Sequence, residues 1–142
     1  MTVKQLSVFI ENRQGRLGEV LRVLKENDVN ILSISLADTT EYGLLRLIVN
    51  NPERGCDVLI KAGFSSMLTD VVIIKIPHVA GALQNILARI TEKNVNIEYM
   101  YGLSLDSDQA YVVLKASDTA KVDEILTANG VVTLSCAELA NI

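Results

Sequence analysis

The sequence predicts an α+β chain made of two βαββαβ units, each an antiparallel sheet with both helices on one face. Three observations predict it. The chain repeats itself: Gly15 falls on Gly81, a shift of 66 residues, and the overlay runs without a gap from Val8 to about Ser35. Apolar residues alternate between strand-like runs and a helical stripe, in the same order in both halves. No Pro-, Gly- or Ser-rich linker interrupts "TDVVIIKIP", so the halves join directly, at 1–69 and 70–142.

Each element has its own reason. "TVKQLSVFI" carries β-branched and aromatic weight and reads as a strand. Leu17, Val20, Leu21 and Leu24 then recur at helical spacing, with Arg22, Lys25 and Glu26 opposite. Asn27 and Asp28 close that helix, with asparagine suited to the left-handed turn. "NILSISLA" and "LLRLIVN" form a hairpin around "DTTEYG". Pro52 opens a second helix, Gly63 ends it, and "FSSMLT" with the residues after it forms a fourth strand. The second half repeats the order: strand "VVIIKI", a helix from about Ala80 to Lys93, strand "NIEYMYGLSL", turn "DSDQ", strand "AYVVLKA", helix "TAKVDEILTAN" and strand "VVTLSCAEL". Two such units make a ferredoxin-like pair.

Composition narrows the function. The chain has 142 residues, 49% of them hydrophobic, and a mean hydropathy of +0.31. That is apolar enough to predict an interface between domains or chains, and a homodimer is expected. Strands "LLRLIV" and "AYVVLKA", apolar on both faces, point the same way. A net charge of −4, scattered in sign, excludes nucleic acid, which needs clustered cations. "MTVKQLSVFIENR" lacks a signal peptide's apolar core, and "VVII" at 71–74 is too short to cross a bilayer. A cytoplasmic chain with no membrane partner is expected. Cys56 and Cys136 show no disulfide or zinc spacing and read as buried or half-buried thiols.

No enzyme is visible. His78, the single histidine, has no nucleophile beside it, and no phosphate loop or metal-ligand cluster occurs. Asp106 and Asp108 lack the glycine and glutamate of a calcium loop and read as a solvated turn. No catalytic residue, metal or cofactor is expected.

The repeated loop is the informative feature. Asn12 ends strand one, Gly15 permits a sharp bend, and a helix starts directly after it. A helix start offers unpaired N–H groups and partial positive charge, which suit a small carboxylate. Asn30, at the entry to strand two, offers a carbonyl and an amide. A free amino acid needs donors for its carboxylate and acceptors for its ammonium. Asn12, the loop N–H groups and Asn30 supply both, within one unit or across a pair. The plainer alternative is a pair of turns with no ligand.

The stretch "FIENRQGRLGEVLRVLKENDVNILSI" resembles the start of an ACT domain, the βαββαβ module that binds amino acids and regulates metabolic enzymes. It is similar to the serine-sensing domain of phosphoglycerate dehydrogenase and to the acetolactate synthase small subunit, and both units fit over their whole length. The resemblance implies effector contacts at Asn12 and Asn30, and at His78 and Asn96, reaching across a domain interface. The serine sensor's loop histidine is Ile10 and Ile76 here, and the family proline is Gln14 and Ala80. Serine is therefore not carried over as the ligand, and the two loops are expected to differ. The candidate ligand-binding residues are Asn12, Arg13, Gln14, Gly15, Arg16 and Leu17, with Asn30 and Ile31. Their second-unit counterparts are His78, Val79, Ala80, Gly81, Ala82 and Leu83, with Asn96 and Ile97. Arg16 is read as solvated, and Tyr99 with Tyr101 as facing a partner sheet. The expected function is a non-catalytic regulator that binds a free amino acid between ACT units and relays occupancy to a metabolic enzyme. A constitutive adaptor with vestigial loops is the alternative from another class, and a small catalytic ferredoxin-like protein a third.

Overall fold

The computed structural model describes residues 1–38, 41–105 and 109–141. Parts of both predicted hairpin turns, with Asp106 and Asp108, lie outside the described residues. The chain divides into two compact units, Lys4–Thr69 with the C-terminal residues from Leu139, and Asp70–Glu138 with Met1–Val3.

The first unit runs β1 (Val3–Glu11), α1 (Arg16–Glu26), β2 (Ile31–Asp38), β3 (Tyr42–Val49), α2 (Pro52–Lys61) and the first residues of β4 (Ser65–Ile76). Its strands lie in the order β2-β3-β1-β4. Leu6, Val8 and Ile10 of β1, Leu45 and Leu47 of β3, and Val20 and Leu24 of α1 form one buried core. The period of two in the strands meets the helical stripe, as the pattern requires. On the opposite face the Gln5 amide donates to Ser7 Oγ at 3.0 Å, which lies 3.2 Å from Thr69 Oγ1.

The second unit repeats the order with the rest of β4, α3 (Ala82–Thr91), β5 (Ile97–Leu103), β6 (Ala110–Ala116) and α4 (Thr119–Ala128). Here β6 lies between β4 and β5, pairing antiparallel with both. Val72, Ile74, Ile76, Ile86, Ile90, Leu114 and Leu126 build its core. The predicted α+β pair of ferredoxin-like units is the fold observed.

Local differences have local causes. "FSSMLT" and "VVIIKI" are one strand, β4, since nothing between them breaks the extended run. Asp28, not Asn27, takes the left-handed turn after α1 (φ 56), and Asn94 does so after α3 (φ 59). The helix expected from Ala80 begins at Ala82, because Gly81 sits at φ 84 and cannot be helical. Leu21 lies off the core that Val23 joins. The thiol expected to be at least half-buried at Cys136 is exposed, while Cys56 is buried.

The last predicted strand, "VVTLSCAEL", shrinks to one bridge between Ile74 and Thr133, after which Cys136–Ala140 form a short helix, α5. "SCAE" is a capping box, and it overrides the strand pattern. Glu138 N–H donates to Ser135 Oγ at 3.2 Å, and Ser135 N–H donates to the Glu138 carboxylate at 2.6 Å. The Ser135 N–H bond to the carboxylate, with a smaller part from the Ser135 hydroxyl beside it, holds the Glu138 carboxyl below its usual range. A lowered native pKa stabilises the ionised form. Its contribution is complete above the ordinary glutamate range and is lost as pH falls through the lowered value. Ser135→Ala is expected to weaken α5 by about 1 kcal/mol, the usual worth of a capping hydroxyl. Amide exchange at Glu138 and Leu139 reads this; the acid dependence is expected to persist in the variant, which keeps the Ser135 N–H on the carboxylate, and to vanish in Glu138→Gln.

Candidate functional site

The two repeated loops share one backbone geometry despite different side chains. In the first, Arg13 N–H donates to Glu11 C=O, Arg16 N–H to Arg13 C=O, and Glu19 N–H to Gly15 C=O, at 2.8, 3.3 and 3.0 Å. In the second, Val79, Ala82 and Asn85 N–H donate to Pro77, Val79 and Gly81 C=O, at 2.8, 3.1 and 3.0 Å. Each bond matches its partner across the shift of 66, as Arg13 matches Val79. Gly15 and Gly81 hold φ at 86 and 84, where a side chain is strained although there is open space for a Cβ.

The helix starts differ in how they are satisfied. At α2 and α4, Asn51 and Asp118 side chains accept from Arg54 and Lys121 N–H at 3.2 and 3.0 Å. Neither α1 nor α3 has a side-chain cap. Among the described residues, the N–H groups of Leu17 and Gly18, and of Leu83 and Gln84, have no partner. These are paired donors at a positive helix end.

The strand-entry asparagines are also duplicated. Asn30 N–H donates to Asn50 Oδ1 at 2.9 Å, while Asn50 N–H donates to Asn30 C=O at 3.1 Å. Asn96 forms the same clamp with Ser117, at 3.2 and 2.8 Å. Only backbone atoms of Asn30 and Asn96 are used, and both residues are exposed. Their side-chain amides have no partner among the described residues.

Loop and asparagine lie at opposite ends of their unit. Asn12 N–H bonds Glu41 C=O just before β3, and Asn30 is clamped by Asn50 just after it. The 11-residue α1 separates Gly15 from Asn30, a span of about 16 Å at 1.5 Å per residue. No single amino acid touches both within one unit, so the within-unit arrangement is ruled out.

The remaining predicted residues fall into place around these groups. Arg13 lies 3.6 Å from the Glu11 carboxylate at the surface, and Gln14 is exposed. Arg16 is not solvated as expected. Its side chain is 18% exposed, 2.7 Å from Glu19 and stacked 4.4 Å from the Phe64 ring centroid. Leu17, Ile31, Ala82, Leu83 and Ile97 pack against the two cores. An open cleft of about 590 Å³ runs over the second loop, with His78, Val79, Gly81 and Leu83 in its wall and Ala80 exposed beside it. Tyr99 and Tyr101 stack on each other at 6.5 Å. Among the described residues no group of His, Cys, Asp or Glu is placed to hold a metal, and no helix is long and apolar enough to cross a membrane.

Sequence reasoning missed a further cavity of about 600 Å³, where Lys75, Asn85 and Gln109 join His78 and Ala82. Asn85 was accessible by the repeat alone, as the counterpart of Glu19. The segment after α4 carries no motif, and only the fold brings it there.

Among solved structures, protein BT0572 from Bacteroides thetaiotaomicron is 37% identical, with a TM-score of 0.93 over 100% of this chain and 98% of that one. The ligand-free regulatory subunit of aspartate kinase from Thermus thermophilus shares the fold at 12% identity and a TM-score of 0.60, over 90% and 94% of the two chains. Aspartate kinase of Clostridium acetobutylicum shares it at 13% identity and 0.54, over 89% of this chain and 32% of that one. No curated protein matches. The ACT domain pair family matches residues 1–142, the whole sequence, and the chain belongs to that family.

Proposed function

We propose that this chain is a non-catalytic regulatory protein that binds a free amino acid and relays its occupancy to a metabolic enzyme. The carboxylate sits on the paired N–H groups at the start of α1 or α3. The side-chain carbonyl of Asn30 or Asn96, from a different module such as one in a second copy of the chain, accepts from the ammonium. Asn12 and His78 flank the bound carboxylate.

The observation that supports this most is a contrast. Asn51 and Asp118 cap α2 and α4, whereas α1 and α3 are entered through glycines that leave two donors open each. The asparagine amides are open as well, and their distance from their own loop favours a second module. Exposed Phe9, Leu36 and Met67 supply apolar surface for a homodimer. Regulation requires the ligand to favour one packing of modules over another, with a coupling of about 1–3 kcal/mol.

Calorimetric titration of the full chain with each of the twenty amino acids tests this. Saturable heat with one or a few of them is expected. No heat with any of them overturns the reading and leaves an adaptor working through its apolar surfaces.

A further inference from the structure

The two units differ around the start of their first helix. In the second, the 600 Å³ cavity lies among the end of β4, the start of α3 and the segment after α4. Lys75, His78 and Asn85 line it, and their side chains have no partner among the described residues. Pro77, Ile86 and Val131 add apolar surface, and no aspartate or glutamate is among the lining residues described.

In the first unit the same positions are filled. Arg16 corresponds to Ala82, Glu19 to Asn85, and Phe64 to Val131. The last match rests on the turns after α2 and α4: Phe64 N–H donates to Leu59 C=O, and Val131 N–H to Leu126 C=O, both at 3.0 Å. Arg16 stacks on Phe64 and pairs with Glu19, and its Nε is buried without a partner. A buried guanidinium with an unmet donor is a costly way to fill space. The second unit instead has small residues there, with a cation, an imidazole and an amide around the opening.

We propose that this cavity is a second binding site, contained within one unit, for a small carboxylate with a short apolar tail and no ammonium group, a 2-oxo acid by class. Lys75 pairs with the carboxylate, His78 and Asn85 donate to its oxygens, and Ile86 with Val131 holds the tail. An ammonium here would lie beside the Lys75 cation, a like charge that the strand-entry asparagines of the loop site do not bring, and this separates the ligand from the amino acid of the loop site. Arg16 and Phe64 close the equivalent space in the first unit.

The test titrates the full chain with 2-oxoisovalerate, following the ring signals of His78, the only histidine. A saturable shift is expected. Ala82→Arg combined with Val131→Phe copies the plug that the first unit already accommodates, and is expected to abolish it. Lys75→Met keeps the stem, removes the charge, and is expected to weaken binding about tenfold or more. Valine, which differs by the ammonium, is expected to give no His78 shift that depends on Lys75, since the loop site does not use that residue. No saturable shift with 2-oxoisovalerate, a shift that survives the plug, an unchanged affinity in Lys75→Met, or a valine shift equally weakened by Lys75→Met would each overturn the proposal. A probe held only by loop N–H groups and a strand-entry asparagine would be indifferent to Lys75→Met, so failure here is separable from failure of the loop reading.

Discussion

Leu24→Ala and Ile90→Ala are each expected to lower the free energy of unfolding by about 2–5 kcal/mol in urea denaturation. The two residues are the same position in the two repeats, and both are fully buried at 0% exposure. Leu24 lies in the core of the first unit with Leu6, Val8 and Leu45; Ile90 lies in that of the second with Ile74, Leu114 and Leu126. Truncation removes transfer free energy and leaves a void that strand and helix cannot close, since each is pinned by its hydrogen bonds. Ile60→Ala is the control. Ile60 is equally apolar but 53% exposed, and its loss is expected to cost within about 0.5 kcal/mol. A small effect at both Leu24 and Ile90 would contradict the division into two packed cores.

The second large effect is on binding. Asn30→Ala or Asn96→Ala is expected to weaken the amino acid's affinity about tenfold to a hundredfold, the worth of a hydrogen bond to a charged group. Stability should barely change. Both clamps use backbone atoms of the asparagines, and the side chains removed are exposed and unpartnered among the described residues. Asn50→Ala should do the reverse in the first unit: it removes the acceptor for Asn30 N–H and costs stability at a residue far from any bound carboxylate. Calorimetry paired with denaturation on the three variants separates the roles. The unit whose asparagine matters shows which loop is occupied.

The architecture was legible because its signals are periodic and doubled. A stripe such as Leu17, Val20 and Leu24 against alternating strands leaves few folds, and its recurrence at Leu83, Ile86 and Ile90 fixes the unit. Glycines at 15 and 81 announced the left-handed bend that the structure shows. Other features depend on competition between neighbours. "VVTLSCAEL" has the composition of a strand, but Ser135 and Glu138 bond each other's backbone and win the last residues for a helix. Arg16 looked solvated because nothing near it in sequence reveals that Phe64 folds over it. That loop and asparagine stand at opposite ends of a unit follows from the helix between them, and the structure adds β3 spanning the same distance from Glu41 to Asn50.

Backbone amide spectra of ¹⁵N-labelled protein, titrated with each of the twenty amino acids, bear most directly on the loop site. Saturable downfield shifts are expected at Leu17 and Gly18, or at Leu83 and Gln84, together with the side-chain amide of Asn30 or Asn96. Shifts that bypass those amides, or none with any amino acid, would contradict binding at the loops.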